Sequence, residues 1–333
     1  MKKEYVVMAS AIVIAMSACS KAGVENTAEN PASFTVKMAE LQNDDETKTG
    51  FAPGSNTLVW GAGDKLYITR KSEIYGKGKT FPYATYDLAS GAGASMADFV
   101  KNAGSIDIPG TGVYVALYSG ATDYGTGGTP MVCNSPSSNY FLASVPTNQA
   151  YVPGGIAPYT MPMVAVSSTL SLMSFKCIAN VLRFNLYNGG AKPIKIKSIE
   201  LSTDSGDRDR NGIAGPLALY TDNTVSPYDT GDVYGIWMTT HPLAQGSNTI
   251  SYNCSASPNL STDSANPTVF NIVFSSTHYS SNGGSSLITA KFTYSVDGGA
   301  DQVKEIVLTN ITKAKRNAMG KLYSYELKDA STF

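Results

Sequence analysis

The sequence predicts an all-β protein made of two β-sandwich domains, and three observations carry that prediction. Apolar residues recur at every second position: Ile288, Ala290, Phe292, Tyr294 and Val296 alternate with Thr289, Lys291, Thr293 and Ser295, as in a half-buried antiparallel strand. Such runs are short, lie between Gly, Asn and Ser turns, and have little helical periodicity between them, which favours stacked sheets over parallel α/β units. The chain has 333 residues, about twice the length of an ordinary domain.

Composition narrows the function. Only 15% of residues are charged, against about 25% in ordinary soluble domains, so polarity comes from hydroxyls and glycines. A net charge of −1 with five arginines leaves no basic patch for a phosphate backbone, and no nucleic-acid partner is expected.

Taken in chain order, Lys2 and Lys3 precede an apolar run from Tyr5 to Ala15, too short for a membrane span, so residues 1–18 read as a signal peptide. The small residues Ser17 and Ala18 before Cys19 resemble the bacterial lipobox, which makes Cys19 the expected lipidation site and the mature N-terminus. Residues 19–31 are small, polar and aperiodic, a flexible tether. The N-terminal domain is expected over 32–165, with strands at Phe34 to Met38, Leu66 to Thr69 and Val113 to Tyr118, and a short helix over Met96 to Ala103. Between Ser144 and Met163, Pro146, Pro153, Pro158 and Pro162 remove ladder donors and mark a connection, placing the boundary near residue 165.

The C-terminal domain is expected over 166–333. From Phe175 to Tyr187 the alternation changes phase, which predicts a bulge near Val181. Strands follow at Phe270 to Phe274, Leu287 to Val296, Val303 to Leu308 and Lys321 to Leu327, with Asp297-Gly298-Gly299 suited to the positive φ of a hairpin turn.

Catalytic signatures are lacking. Gly78-Lys79-Thr80 has Glu73 where a P-loop needs glycine, and the Gly-x-Gly turns at Gly61, Gly91 and Gly110 lack the third glycine of a dinucleotide fingerprint. Asp207 to Gly212 copies half a calcium loop but puts Ala218 where a bidentate glutamate belongs. His241 and His278 have no ligand partners at metal spacing, and no nucleophile elbow occurs. The expectation is a protein without enzymatic activity, cofactor or metal. Beyond Cys19, Cys133, Cys177 and Cys254 are either three buried small hydrophobes or one disulfide, Cys133 to Cys254 or Cys177 to Cys254.

Several short runs together resemble the fimbrillin-like proteins of Bacteroidetes, lipoprotein precursors of fimbrial subunits. These are Thr57-Leu58-Val59-Trp60 with Gly63-Asp64-Lys65-Leu66, the series Met161-Pro162-Met163, Leu172 to Leu186, Ile194 to Leu201 and Gly215, and the closing Gly320 to Tyr325. The resemblance implies two transthyretin-like β-sandwiches, export to the outer membrane and assembly into fimbriae with other subunits by β-strand exchange. Under it, the removable first strand carries Phe34, Val36 and Met38 as groove plugs, and the C-terminal segment is the donor, with Tyr323, Tyr325 and Leu327. Such maturation cuts after an arginine beyond the first strand. The first arginine here is Arg70, past Trp60, and Lys48 is the other candidate processing site. Asp263-Ser264-Ala265 resembles a Bacteroidetes O-glycosylation acceptor at Ser264. The alternative reading is a lipid-anchored surface adhesin or fimbrial tip protein that binds glycan or host protein, for which twenty tyrosines are suited.

Overall fold

The computed structural model describes residues 32–38, 42–43, 58–74, 82–108, 112–118, 132–134, 139–157, 159–203, 212–220, 237–240, 247–275, 287–309, 311 and 321–327. Among these the chain is all-β, with one four-residue helix, α1 (Lys71–Ile74), and four sheets.

The first sheet has eight strands. β1 (Ser33–Lys37), β3 (Lys65–Arg70), β4 (Ala84–Ser90), β5 (Met96–Lys101) and β6 (Tyr114–Tyr118) come from the N-terminal part, and β10 (Met163–Ser167), β11 (Leu172–Ser174) and β12 (Lys176–Cys177) follow the proline-rich connection. Their order is β11-β1-β5-β4-β3-β6-β10-β12. The two margins, β11 and β12, are separated in sequence only by Phe175, so the run 172–177 pairs with β1 on one side and with β10 on the other and closes the sheet on itself. Closure removes the open edges that invite aggregation. Trp60 is 1% exposed inside it and meets Phe99, Tyr118 and Phe175 edge-on at 5.0, 5.8 and 5.7 Å.

The C-terminal strands form two facing sheets. One contains β18 (Thr268–Ser275), β13 (Ala179–Leu186), β21 (Lys321–Leu327) and β2 (Gln42–Asn43); the other runs β20 (Asp301–Leu308), β19 (Ile288–Val296), β14 (Ile194–Thr203), β17 (Thr249–Asn253), β9 (Asn148–Ala150). Phe184 meets Phe292 between them at 5.1 Å. A side sheet holds β16 (Trp237–Thr240), β15 (Gly215–Tyr220), β8 (Asn139–Val145) and β7 (Val132–Asn134). At the expected hairpin, Asp297 and Gly298 take φ of 53° and 69° and join β19 to β20.

Three expectations are corrected. Met96 to Lys101 is strand β5, not helix: Ala97 and Phe99 point into the core while pairing with β1 and β4 fixes the backbone, so tertiary pairing overrides a weak local preference. No bulge occurs at Val181. The register of β13 with β18 runs unbroken from Ala179↔Ser275 to Leu186↔Thr268, and the apolar phase changes because both faces of β13 are buried. The chain instead switches sheets at Ile178, whose N–H donates to Pro162 O at 3.1 Å. Residue 165 lies inside β10, and the first sheet continues to Cys177; the proline cluster marks a connection that returns to the sheet it left. β8, which ends just before Pro146, and β9, which lies between Pro146 and Pro153, pair with β15 and β17.

Gly91 is one position where glycine is required. Its φ is +91°, and a Cβ there would lie 2.5 Å from Met96 O and 2.7 Å from Ala97 Cα, in the turn that feeds β5. Gly91→Ala is expected to destabilise the protein by about 3 kcal/mol, from left-handed strain plus displaced backbone, as read from a urea midpoint.

Candidate functional site: the slot of the first strand

Alternation in Phe34-Thr35-Val36-Lys37-Met38 sends three side chains one way, and the structure buries all three, at 5%, 0% and 4% exposure. β1 runs antiparallel to β5, from Ser33↔Val100 to Lys37↔Met96, and parallel to β11, from Thr35↔Leu172 to Lys37↔Ser174. Phe34 packs on Tyr86 at 4.9 Å and on Phe99 at 6.4 Å. Each wall is held without β1: β5 by β4, and β11 by its covalent continuity with β12, which pairs with β10. Taking β1 away would therefore leave a slot between two retained strands, with backbone donors and acceptors on both sides.

A cleft of about 610 Å³ continues the slot at its Met38 end, lined by Met38, Leu58, Trp60, Tyr118, Ile156 and Met161 among others. Beside it, at the Gly63-Asp64 turn, Asp64 is buried at 3% exposure while Gly63 is exposed. Gly61 N–H donates to Asp64 Oδ2 at 2.7 Å and Tyr118 O–H to Asp64 Oδ1 at 2.9 Å. Burial raises the Asp64 carboxyl above its ordinary value of 3.8, with these two donors opposing, and desolvation together with the Asp64 charge pushes the Tyr118 phenol up. Stability from a raised carboxyl is present below the unfolded value and is lost as pH rises through the folded one. Wild type is therefore expected to gain on Asp64→Asn as pH falls from neutrality towards about 4, seen as a narrowing or reversal of the difference in their urea midpoints. Asp64→Ala is expected to cost about 2 kcal/mol at neutral pH, because the two donors lose their acceptor, and more as pH falls, because alanine does not titrate either.

The other candidate residues fall in different places. Arg70 is 2% exposed in the middle of the first sheet, its guanidinium 3.8 Å from the centre of the Tyr114 ring and donating to Gly112 O and Tyr114 Oη, each at 2.8 Å. A protease needs an extended, accessible segment, so cleavage after Arg70 requires β3 to be pulled out of the folded sheet. Tyr323, Tyr325 and Leu327 lie on β21, which is interior to its own sheet: six residues pair in parallel with β13, and Tyr323 meets Phe274 at 5.9 Å. Ser264 is exposed in a turn held by Asp263, whose carboxylate accepts from Ala265 N at 2.8 Å and from Asn266 Nδ2 at 2.6 Å.

Cys177 and Cys254 are buried and free, which excludes a Cys177 to Cys254 bridge and a Cys133 to Cys254 bridge; burial pushes both thiols up to about 12. Cys19, Lys48, His241, His278 and residues 207–211 of the calcium-like loop lie outside the described residues. Among the described residues no His, Cys, Asp and Glu cluster could hold a metal, and no helix is long and apolar enough to cross a membrane.

Sequence reasoning missed the cleft and the role of the connection that forms its wall. Gln149 in that connection is 6% exposed, and its carboxamide pairs with the backbone of Val273, accepting from N–H at 2.9 Å and donating to O at 2.6 Å. Nothing in the local sequence marks a glutamine that pairs with a peptide 124 residues away.

No protein-family model and no curated protein sequence matches the chain. Among solved structures it is similar to a candidate cell adhesion protein of Bacteroides ovatus, 12% identical over 84% of this chain and 87% of that one, with a TM-score of 0.42. A candidate cell adhesion protein of Bacteroides uniformis is 15% identical over 82% and 90%, also at 0.42. A fimbrial assembly protein of Parabacteroides distasonis is 11% identical over 90% and 93%, at 0.34. With every TM-score below 0.5, these similarities carry no residue-by-residue correspondence.

Proposed function

We propose that the protein is a non-enzymatic structural subunit of surface fimbriae in the fimbrillin-like manner, exported as a lipoprotein through Cys19 and assembled by strand exchange at the β1 slot. The observation that carries this reading is that both walls of the slot, β5 and β11, are anchored independently of β1. Loss of β1 would expose unpaired N–H and C=O groups together with the space vacated by Phe34, Val36 and Met38, a template for an incoming strand with alternate apolar side chains. That strand comes from a neighbouring subunit. Tyr323, Tyr325 and Leu327 can serve as its plugs only if β21 first gives up its six-residue register with β13. Processing falls between Met38 and Leu58, where Lys48 lies, rather than at the buried Arg70. The exposure of Ser264 supports its role as a glycan acceptor.

The burial of Arg70 also favours a second reading, an uncut lipid-anchored adhesin or fimbrial tip protein that keeps β1 in place. Mass spectrometry of surface-extracted protein separates the two. Strand exchange predicts a mature N-terminus between residues 39 and 58 and oligomers that survive SDS without boiling, because dissociation must free a whole strand. A lipidated Cys19 as sole N-terminus, with an SDS-labile monomer, would leave only the anchored adhesin.

A further inference from the structure

We propose that the outward face of β14, β17 and β9, walled by Tyr159, is a binding groove for a neutral oligosaccharide. The groove has a volume of about 600 Å³, with polar side chains in rows across its strands and Pro146, Ala150, Ala157 and Tyr159 adding apolar surface. Register places Glu200 beside Ser251 and Ser251 beside Asn148, so a carboxylate, a hydroxyl and an amide stand in one row across three strands. A second row holds Ser198, Asn253 and Ala150. At the usual strand spacing a row of three spans roughly 10 Å, about two linked pyranose rings. Ile199 and Tyr252 are buried at the intervening positions, so the exposed side chains of the two rows are hydrogen-bonding groups, with small apolar patches beside them, a mixture that suits a ligand with both hydroxyls and C–H faces.

The wall supplies the complementary chemistry. Tyr159 is 41% exposed and stands between this groove and the cleft at Trp60. Its φ is 59°, a left-handed conformation that glycine adopts freely and a full side chain does not. The phenol oxygen lies against Gly63, 3.5 Å from where a Cβ would stand, which fixes one end of the ring. A strained aromatic held at the rim of a polar groove is suited to stack on the C–H face of a sugar, leaving the hydroxyls for the two rows. Glu200 carries the only charge among the described residues that line the groove, so acidic sugars are disfavoured. β1 forms no part of the groove, so the inference stands or falls separately from strand exchange.

The test is saturation-transfer NMR on the intact chain in detergent, with chitotetraose, mannotetraose and maltotetraose as neutral probes and sialyllactose as the acidic one. Transfer is expected to at least one neutral probe, weakened about tenfold by Tyr159→Ala and preserved by Tyr159→Phe. Glu200→Ala is also expected to weaken it. Tyr159→Gly relieves the strain, so it is expected to keep or raise the melting temperature while losing the probe, which separates binding from folding. Absence of transfer from all neutral probes would overturn the proposal. So would transfer unchanged in Tyr159→Ala and Glu200→Ala, or equal binding of the sialylated probe.

Discussion

Val36→Asp is expected to be among the most damaging single substitutions in the unprocessed protein, costing about 3–5 kcal/mol, because it places an unpaired carboxylate at a fully buried position. That is a large part of the stability of an ordinary domain, so much of the chain should be unfolded or retained during export. The cause is local: Val36 pairs with Ala97 on one side and Met173 on the other and has no water to solvate a charge. Thr35→Asp, on the opposite face beside Asp98, should cost far less and mainly through like-charge repulsion. Urea denaturation of the uncut chain measures both. Strand exchange adds a second expectation. Once β1 has been removed, Val36 is no longer part of the particle, so any Val36→Asp protein that reaches assembly should form polymers as SDS-resistant as wild type. A Val36→Asp cost below about 1 kcal/mol would mean that β1 is not docked in solution, and the slot would lose its physical basis.

Trp60→Ala is expected to cost about 3–5 kcal/mol, with Trp60→Phe far milder. The indole is where the closed sheet is stitched together. Its edge-on contacts reach Phe99 on β5, Tyr118 on β6 and Phe175 in the closing run, and its backbone bonds to Gly93 N and Ala94 O in the turn before β5. Truncation leaves a void touching three strands that cannot collapse together without breaking register. Phenylalanine keeps most of the volume and removes an indole N–H that has no acceptor among the described residues, so part of its packing loss is offset. Guanidinium denaturation of both variants gives the order. If Trp60→Ala proved as mild as Trp60→Phe, the indole would be a surface platform for a ligand and not a core residue.

The strands that alternate cleanly were legible in the sequence. Phe34, Val36 and Met38 alternate as one apolar face and are buried as one. Asp297-Gly298 has the residues of a positive-φ hairpin turn and forms one. Reading failed where burial was two-sided or local propensity was weak. β13 lost its alternation because sheets pack on both of its faces, and β5 looked helical because Met96 to Lys101 carries no strong β-former except Phe99 and Val100. The candidate site is half legible: the apolar face of β1 shows in the sequence, but the anchored walls beside it do not, since β11 and β12 are three and two residues long.

By itself the sequence determined the all-β class, the alternating faces and the turns, because period two and positive-φ residues are properties of neighbours along the chain. Only the tertiary structure decided that residues 172–177 close the first sheet, that Arg70 is buried, that Gln149 pairs with Val273, and that Tyr159 lines the same groove as two polar rows. Those facts depend on which distant segments meet. That choice is made by the summed burial of both faces and by backbone hydrogen bonds between strands far apart in sequence, and no local window contains it.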